Sequence, residues 1–198
     1  RLVRGVIRSR HKLAYEDAQA VLDGDRGIDE PTDSALRDLR DVARLLRAAR
    51  NSRGSLDLDL PEARVILGES GEPVDIQRVI RLEAHRLIED FMLLANEVIA
   101  KRALEAKVPF IYRVHEPPDS GRMEQLRDFV ATFGHRLGGR SGSPTPQDLQ
   151  RLLASAAGTA EAGLISTVVL RSMKQARYSE QSLGHFGLAT AHYTHFTS

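Results

Sequence analysis

The sequence predicts an α+β fold, predominantly helical, with small antiparallel or mixed β-sheet elements. Three observations carry that expectation. Six windows space apolar residues three or four apart, as one buried helix face requires, whereas only short stretches alternate with the period of two that a half-buried strand needs. The composition, 41% hydrophobic and 28% charged over 198 residues, suits one soluble globular domain. Gly, Pro, Asn and Asp cluster between the periodic windows, which separates them into discrete elements.

In chain order, Leu2 to Ser9 sets Val3 and Ile7 against Arg4 and Arg8, which predicts a strand at the edge of a larger sheet. A short helix follows over Tyr15 to Leu22 and stops at Asp23-Gly24-Asp25. Pro31 to Ser34 supplies capping residues for a helix to about Ser52, along which Leu36, Leu39, Ala43, Leu46 and Ala49 form the apolar face. Its other side carries Arg37, Arg40, Arg44, Arg47 and Arg50. A stripe like this faces phosphates or water, and the neighbouring Asp33, Asp38 and Asp41 favour water.

Leu56 to Leu60 alternates, and Arg64 to Leu67 and Val74 to Ile76 flank a glycine turn, so a small antiparallel meander is expected. The longest helix runs from about Arg78 to Ala106. Its apolar face is wide enough to imply contact on two sides, hence a central position. Pro109 ends that pattern, and Phe110 to Val114 reads as a short strand. Helices follow near Arg122–Phe133, Pro146–Ala156 and Glu161–Arg177, the first two separated by the Gly/Ser-rich stretch from Gly138 to Ser143.

Charge and cysteine content narrow the function classes. With 28 Lys+Arg against 27 Asp+Glu the formal charge is +1, so bulk electrostatics give no reason to propose a nucleic-acid partner. The absence of cysteine excludes disulfides, thiolate zinc sites and a cysteine nucleophile, and it fits a cytoplasmic protein. The first residues lack Met and no long apolar run is present, so neither a signal peptide nor a membrane span is expected, and the chain reads as an internal piece of something longer.

Local clusters add little chemistry by themselves. His185, His192 and His195 hint at zinc, but without an adjacent carboxylate ligand the spacing is a weak metal signal. Asp57 with Asp59, or Asp23 with Asp25, offers a carboxylate pair. The first pair is the wet side of an alternating strand and the second flanks a turn glycine, so both read as structural, and no metal site is assigned within the chain. Arg171, Lys174 and Arg177, three apart on the last predicted helix, either meet phosphates or form a solvated stripe.

Five stretches carry more. They are Val6-Ile7-Arg8-Ser9 leading to Lys12-Leu13-Ala14-Tyr15, then Ala84 through Asn96, Tyr112-Arg113-Val114-His115, Leu170 through Tyr178, and Gly184-His185-Phe186-Gly187-Leu188-Ala189 through His195-Phe196-Thr197-Ser198. In this order and spacing they resemble the catalytic domain of the ribonuclease R and ribonuclease II exoribonucleases, and ribonuclease R more closely. The resemblance spans essentially the whole chain, so residues 1–198 are expected to be part of one such domain.

That resemblance implies a processive, Mg²⁺-dependent hydrolysis of single-stranded RNA from the 3′ end, releasing nucleoside 5′-monophosphates, by a protein that works as a monomer. It implies that the metal-binding aspartates and an essential arginine lie outside this chain, which alone is expected to be inactive. Tyr15 matches a tyrosine beside the terminal nucleotide, and Glu89 a carboxylate that holds the terminal ribose. A core tyrosine and a helix pair with Arg86 are the structural alternatives. Leu58 aligns where the family usually has a base-clamping phenylalanine, and leucine has no ring to stack. His185, Phe186, His195, Thr197 and Ser198 match positions that shape the channel. Two rivals remain: a catalytically dead RNA-binding relative, and a helical protein-interaction module.

Overall fold

In the computed structural model, residues 3–57, 63–139 and 143–197 are described. Helix α1 (Tyr15–Asp23) ends at Gly24, whose φ of +84° is the left-handed turn that glycine tolerates best. Helix α2 (Glu30–Arg53) starts where the Asp29 side chain accepts the Thr32 amide at 2.9 Å and ends at Gly54. A Cβ on Gly54 would lie 2.9 Å from the Gln147 nitrogen, so close backbone approach as well as φ requires glycine there.

Strands β1 (Ala63–Leu67) and β2 (Pro73–Arg78) form an antiparallel hairpin with Val65 opposite Ile76. Helix α3 (Glu83–Glu105) packs against both α1 and α2 and sets Ala100 against Tyr112 and Val114 of β3 (Tyr112–Val114), the central position its wide apolar face demands. Then come α4 (Ser120–Ala131), α5 (Pro146–Ala156) and α6 (Ala162–Ser172). Met123, Leu126 and Val130 interleave with Leu149, Leu152, Ile165 and Val169 to make the largest core. Strand β4 (Arg177–Ser179) pairs antiparallel with β3, and a single 3₁₀ turn covers Phe186–Leu188.

The α+β class, helices predominating, is what the sequence predicts, and both sheets are antiparallel. Three elements differ. Residues 3–9 form no strand: Val3, Val6 and Ile7 are exposed, because alternation marks a pairing surface and the described residues offer that surface no partner strand. The strand expected over Leu56 to Leu60 falls mostly on residues outside the described ones, and Leu56 and Asp57 are irregular. The last helix stops at Ser172. Buried Met173 turns the chain into the three-helix core, and Arg177 joins β4, so Arg171, Lys174 and Arg177 do not share one helix.

The arginine stripe of α2 is a solvated face only in part: Arg37 and Arg44 stay exposed, while Arg47 and Arg50 do not. Arg47 and Arg50 reach the buried carboxylate of Asp90 on α3, at 2.8 and 2.9 Å, and Arg44 and Arg47 share Glu83. Burial raises the Glu83 pKa and these arginines lower it further, leaving it below its ordinary value. Among the described residues no helix is long and apolar enough to cross a membrane.

Candidate functional site

Helix α3 organises the site because three of its side chains share one face. At about 100° per residue, His85, Glu89 and Asn96 fall within roughly 40° of one another and span roughly 16 Å of helix axis. The N-terminal part of this face is open. There the Tyr15 ring, at the start of α1, stacks on His85 with centroids 4.0 Å apart and planes inclined by 21°. His85 is held in turn by the Leu82 amide, which donates to Nδ1 at 3.2 Å. Tyr15 remains 43% exposed, which excludes the reading of it as a core residue and leaves ring surface for a second stacking partner.

One turn along, Glu89 pairs with Arg81, whose other nitrogen reaches Asp57 at 2.9 Å. Burial lowers the Arg81 pKa, but the two carboxylates outweigh it and raise it, so the guanidinium is a fixed charge between α3 and the segment that leads to residue 58. The arrangement holds the Glu89 carboxyl oriented while its side chain stays 41% exposed. Asp57 is thereby a structural partner; Asp59 and Leu58 lie outside the described residues.

At the other end of the face Asn96 is buried. Its Oδ1 accepts the amides of Phe196 and Thr197, each at 3.0 Å, and the Thr197 hydroxyl at 3.1 Å, while Nδ2 donates to the Tyr193 hydroxyl at 3.1 Å. The segment from Tyr193 is thus latched onto α3. It also runs beside β3, with the Arg113 amide donating to Tyr193 and the Thr194 hydroxyl to Ile111. His195 lies near this latch; Ser198 lies outside the described residues.

From the latch a file of rings leads inward. Tyr178 stands against His195, His195 against Tyr193, Tyr193 against His185, and His185 against His115, with centroids 5.0–5.9 Å apart and near-perpendicular planes. Phe186 closes the file against His115 and packs on the three-helix core. Arg113 lies 4.8 Å over Tyr178. Burial, with the charges of His115 and Arg113, pushes His185 down to about 4, and burial and Arg113 also depress His195. Buried His115 is depressed by burial first, partly offset by the Lys174 carbonyl, although its Nε2 completes no hydrogen bond of good geometry.

These histidines are therefore neutral at pH 7, which suits a scaffold better than proton transfer. Their depressed pKa values fix the sign of a pH effect. The unfolded chain titrates near 6.5, so stability is complete above that pH and is lost as pH falls toward 4. His185 accounts for up to about 3 kcal/mol of the loss. Urea unfolding at pH 7.5 and 4.5 should show a clearly smaller acid loss for His185→Gln than for the parent, and equal losses would refute the assignment.

The structure thus brings Tyr15, Glu89, His195 and Thr197 to one helix face and joins His185 and Phe186 to it through the ring file. Arg171 and Lys174 do not join them; they line a separate cavity beside β3, and Lys174 and Arg177 both pair with Glu116. Sequence reasoning assigned no role to His85, Arg81, Asn96, Arg113 or His115. The spacing of 85, 89 and 96 on a helix was the available signal for two of them. Among the described residues no group of three or more His, Asp or Glu side chains is placed to hold a metal ion.

The RNB domain model matches residues 1–198. The chain is 40% identical to ribonuclease R of Aquifex aeolicus over all of its own length and 28% of that protein, and 38% identical to ribonuclease R 1 of Lactococcus lactis over 98% of its length and 24% of that protein. Among solved structures it is similar to Mycoplasma genitalium RNase R in complex with ribose-methylated single-stranded RNA. The TM-score is 0.89 and the identity 26%, over 93% of this chain and 29% of that one. The chain therefore spans about a quarter of the length of the curated relatives it matches.

Proposed function

The chain belongs to the RNB domain family, and from that premise we propose that it is the part of a 3′-to-5′ exoribonuclease that grips the end of a single-stranded RNA. The enzyme hydrolyses the strand processively to nucleoside 5′-monophosphates. The observation that carries the reading is the shared α3 face, where an exposed stacked tyrosine, an oriented carboxylate and a latched aromatic segment stand in line.

Each group has work that fits an RNA terminus. The free face of Tyr15 stacks on a base, an interaction tolerant of sequence, and His85 backs the ring so that little freedom is lost on binding. Glu89, oriented by Arg81, accepts hydrogen bonds from ribose hydroxyls, which DNA lacks at the 2′ position. Among the described residues no group is placed to hold a metal ion, and in this proposal Mg²⁺ is held by residues outside this chain and supplies water activation there. The absence of cysteine supports a cytoplasmic setting, and the proposed working unit is a monomer.

The test uses the full-length protein that contains this chain. With Mg²⁺ it should release mononucleotides from a single-stranded oligoribonucleotide, while the 198-residue chain alone should not. Binding without cleavage would favour a catalytically dead RNA-binding relative, and no affinity at low salt would favour a protein-interaction module. Tyr15→Ala should weaken RNA binding by about 5- to 150-fold, the equivalent of one lost base stack at about 1–3 kcal/mol. Filter binding at fixed salt reads this, and an unchanged Kd would remove Tyr15 from the interface.

A further inference from the structure

A cavity of about 1100 Å³ opens where β3, the first turn of α4 and the end of α6 meet, on residues other than Tyr15 and Glu89. Arg113, Arg122, Arg171 and Lys174 line it, against Asp119 as the one carboxylate among its described lining residues. Four cations with one anion leave a net charge of +3 on its wall. Even that anion is engaged elsewhere, since Asp119 caps α4 by accepting the amides of Gly121 and Arg122 at 3.0 and 3.3 Å.

The cations are poorly neutralised. Lys174 shares Glu116 with Arg177, at 3.9 and 3.3 Å respectively. Arg122 and Arg171 make no ion pair among the described residues, and Arg113 rests on the Tyr178 ring, which attracts its charge without cancelling it. The field of Arg113 reaches the ring file, where it contributes to the depression of His115, His185 and His195. Buried His115 is also part of the wall. Its Nδ1 accepts the Gly187 amide at 3.1 Å, so Nε2 carries the ring proton, and that donor completes no hydrogen bond of good geometry, the Lys174 carbonyl being the acceptor that faces the ring.

We propose that this cavity is a phosphate-binding site, which takes the phosphate of a free mononucleotide or inorganic ion, or one phosphate of an RNA strand. A phosphate monoester or inorganic phosphate fits better than a carboxylate because its double charge and at least three free oxygens match several guanidinium forks at once, and a strand phosphodiester still offers one charge and two free oxygens to the same forks. The volume leaves room for an attached nucleoside. The inference does not depend on the exoribonuclease reading, because it needs only the cations and the cavity.

The test is calorimetric titration of the full-length protein in EDTA, in a Tyr15→Ala background so that the α3 face contributes little. The probes are inorganic phosphate, adenosine 5′-monophosphate and a short single-stranded oligoribonucleotide. Phosphate should bind in the ~mM range, and the double charge reversal R122E/R171E should weaken every probe that uses the site by ~10-fold or more. Both residues are exposed, so the variant should fold; if circular dichroism shows otherwise, R122Q and R171Q singly should each give ~3-fold. Tighter binding of the mononucleotide than of the oligonucleotide assigns the site to free nucleotides, and the reverse assigns it to strand phosphates. Absence of phosphate binding up to ~20 mM, or equal affinities in parent and charge-reversed proteins, overturns the proposal.

Discussion

Replacing Asp90 by asparagine should destabilise the protein by about 3–5 kcal/mol, the usual cost of leaving buried charge without its partner. Asp90 is 2% exposed and faces two arginines from α2, Arg47 and Arg50, whose side chains are 15% and 10% exposed. Arg47 Nε donates to Oδ2 at 2.9 Å, while Arg50 is held to Oδ1 at 2.9 Å by charge more than by hydrogen-bond direction, since Oδ1 completes no bond of good geometry. Burial alone would lower the Arg47 pKa, but Glu83 and Asp90 together raise it, so the arginine does not escape by deprotonation. Asparagine keeps the shape and removes the charge, and both guanidiniums then stay desolvated beside a neutral amide.

For a chain of this size the loss corresponds to a fall in Tm of about 6–20 °C. Two controls separate this account from simple misfit. Added salt should not mimic the substitution, because ions do not screen a buried pair well. Apolar replacement of the group as a whole, such as Asp90→Leu with Arg47→Met, should recover part of the loss. A shift in Tm under ~2 °C for Asp90→Asn would mean that α2 and α3 are held together by their apolar contacts alone.

That ion-pair group marks the limit of what the residues disclose. Periodicity identified α2 and its arginine stripe, but the same stripe suits a wet face, a phosphate-facing surface or an interhelical network. Only the position of Glu83 and Asp90, more than thirty residues away, decides among them. Helix α5 was legible to the residue because its signals are local: Thr145 and Asp148 cap its start, and Pro146 occupies its first turn. Helix α6 was drawn too long because the residues after Ser172 are compatible with helix, and what removes them is pairing of Arg177 with Val114 on β3. The strand expected at residues 2–9 failed for the converse reason, since alternation describes a face and does not supply a neighbour.

Of the candidate site, Tyr15 and Glu89 were found through the resemblance, and their nearness to one another follows from α1 packing on α3. The groups that orient them were not. His85 and Arg81 act through a ring stack and a bridging charge, and neither leaves a mark in spacing alone. Asn96 is the clearest omission. An asparagine inside a long helix reads as an indifferent helix former, and its value comes from partners about one hundred residues later.

Removing that side chain should release the C-terminal segment rather than unfold the chain. In Asn96→Ala the amides of Phe196 and Thr197 lose their acceptor and the buried Tyr193 hydroxyl loses its donor, while a small cavity opens beside Tyr193. Unmade bonds of this kind together cost about 3–4 kcal/mol. Because the three-helix core makes none of these contacts, the cost falls on a local opening, and hydrogen exchange of the Phe196 and Thr197 amides should accelerate by roughly 100- to 1000-fold with little change in core amides. In the proposed enzyme, a segment released from α3 no longer holds its ring and hydroxyl groups in register with Glu89, and a misplacement of ~1 Å lowers turnover by ~100-fold. Asn96→Asp is the discriminating variant. It retains the acceptor for both amides, so exchange should accelerate less than in Asn96→Ala despite the buried charge; if the two variants exchange alike, or if neither differs from the parent, the segment is held by its contacts with β3 and Asn96 is not the latch.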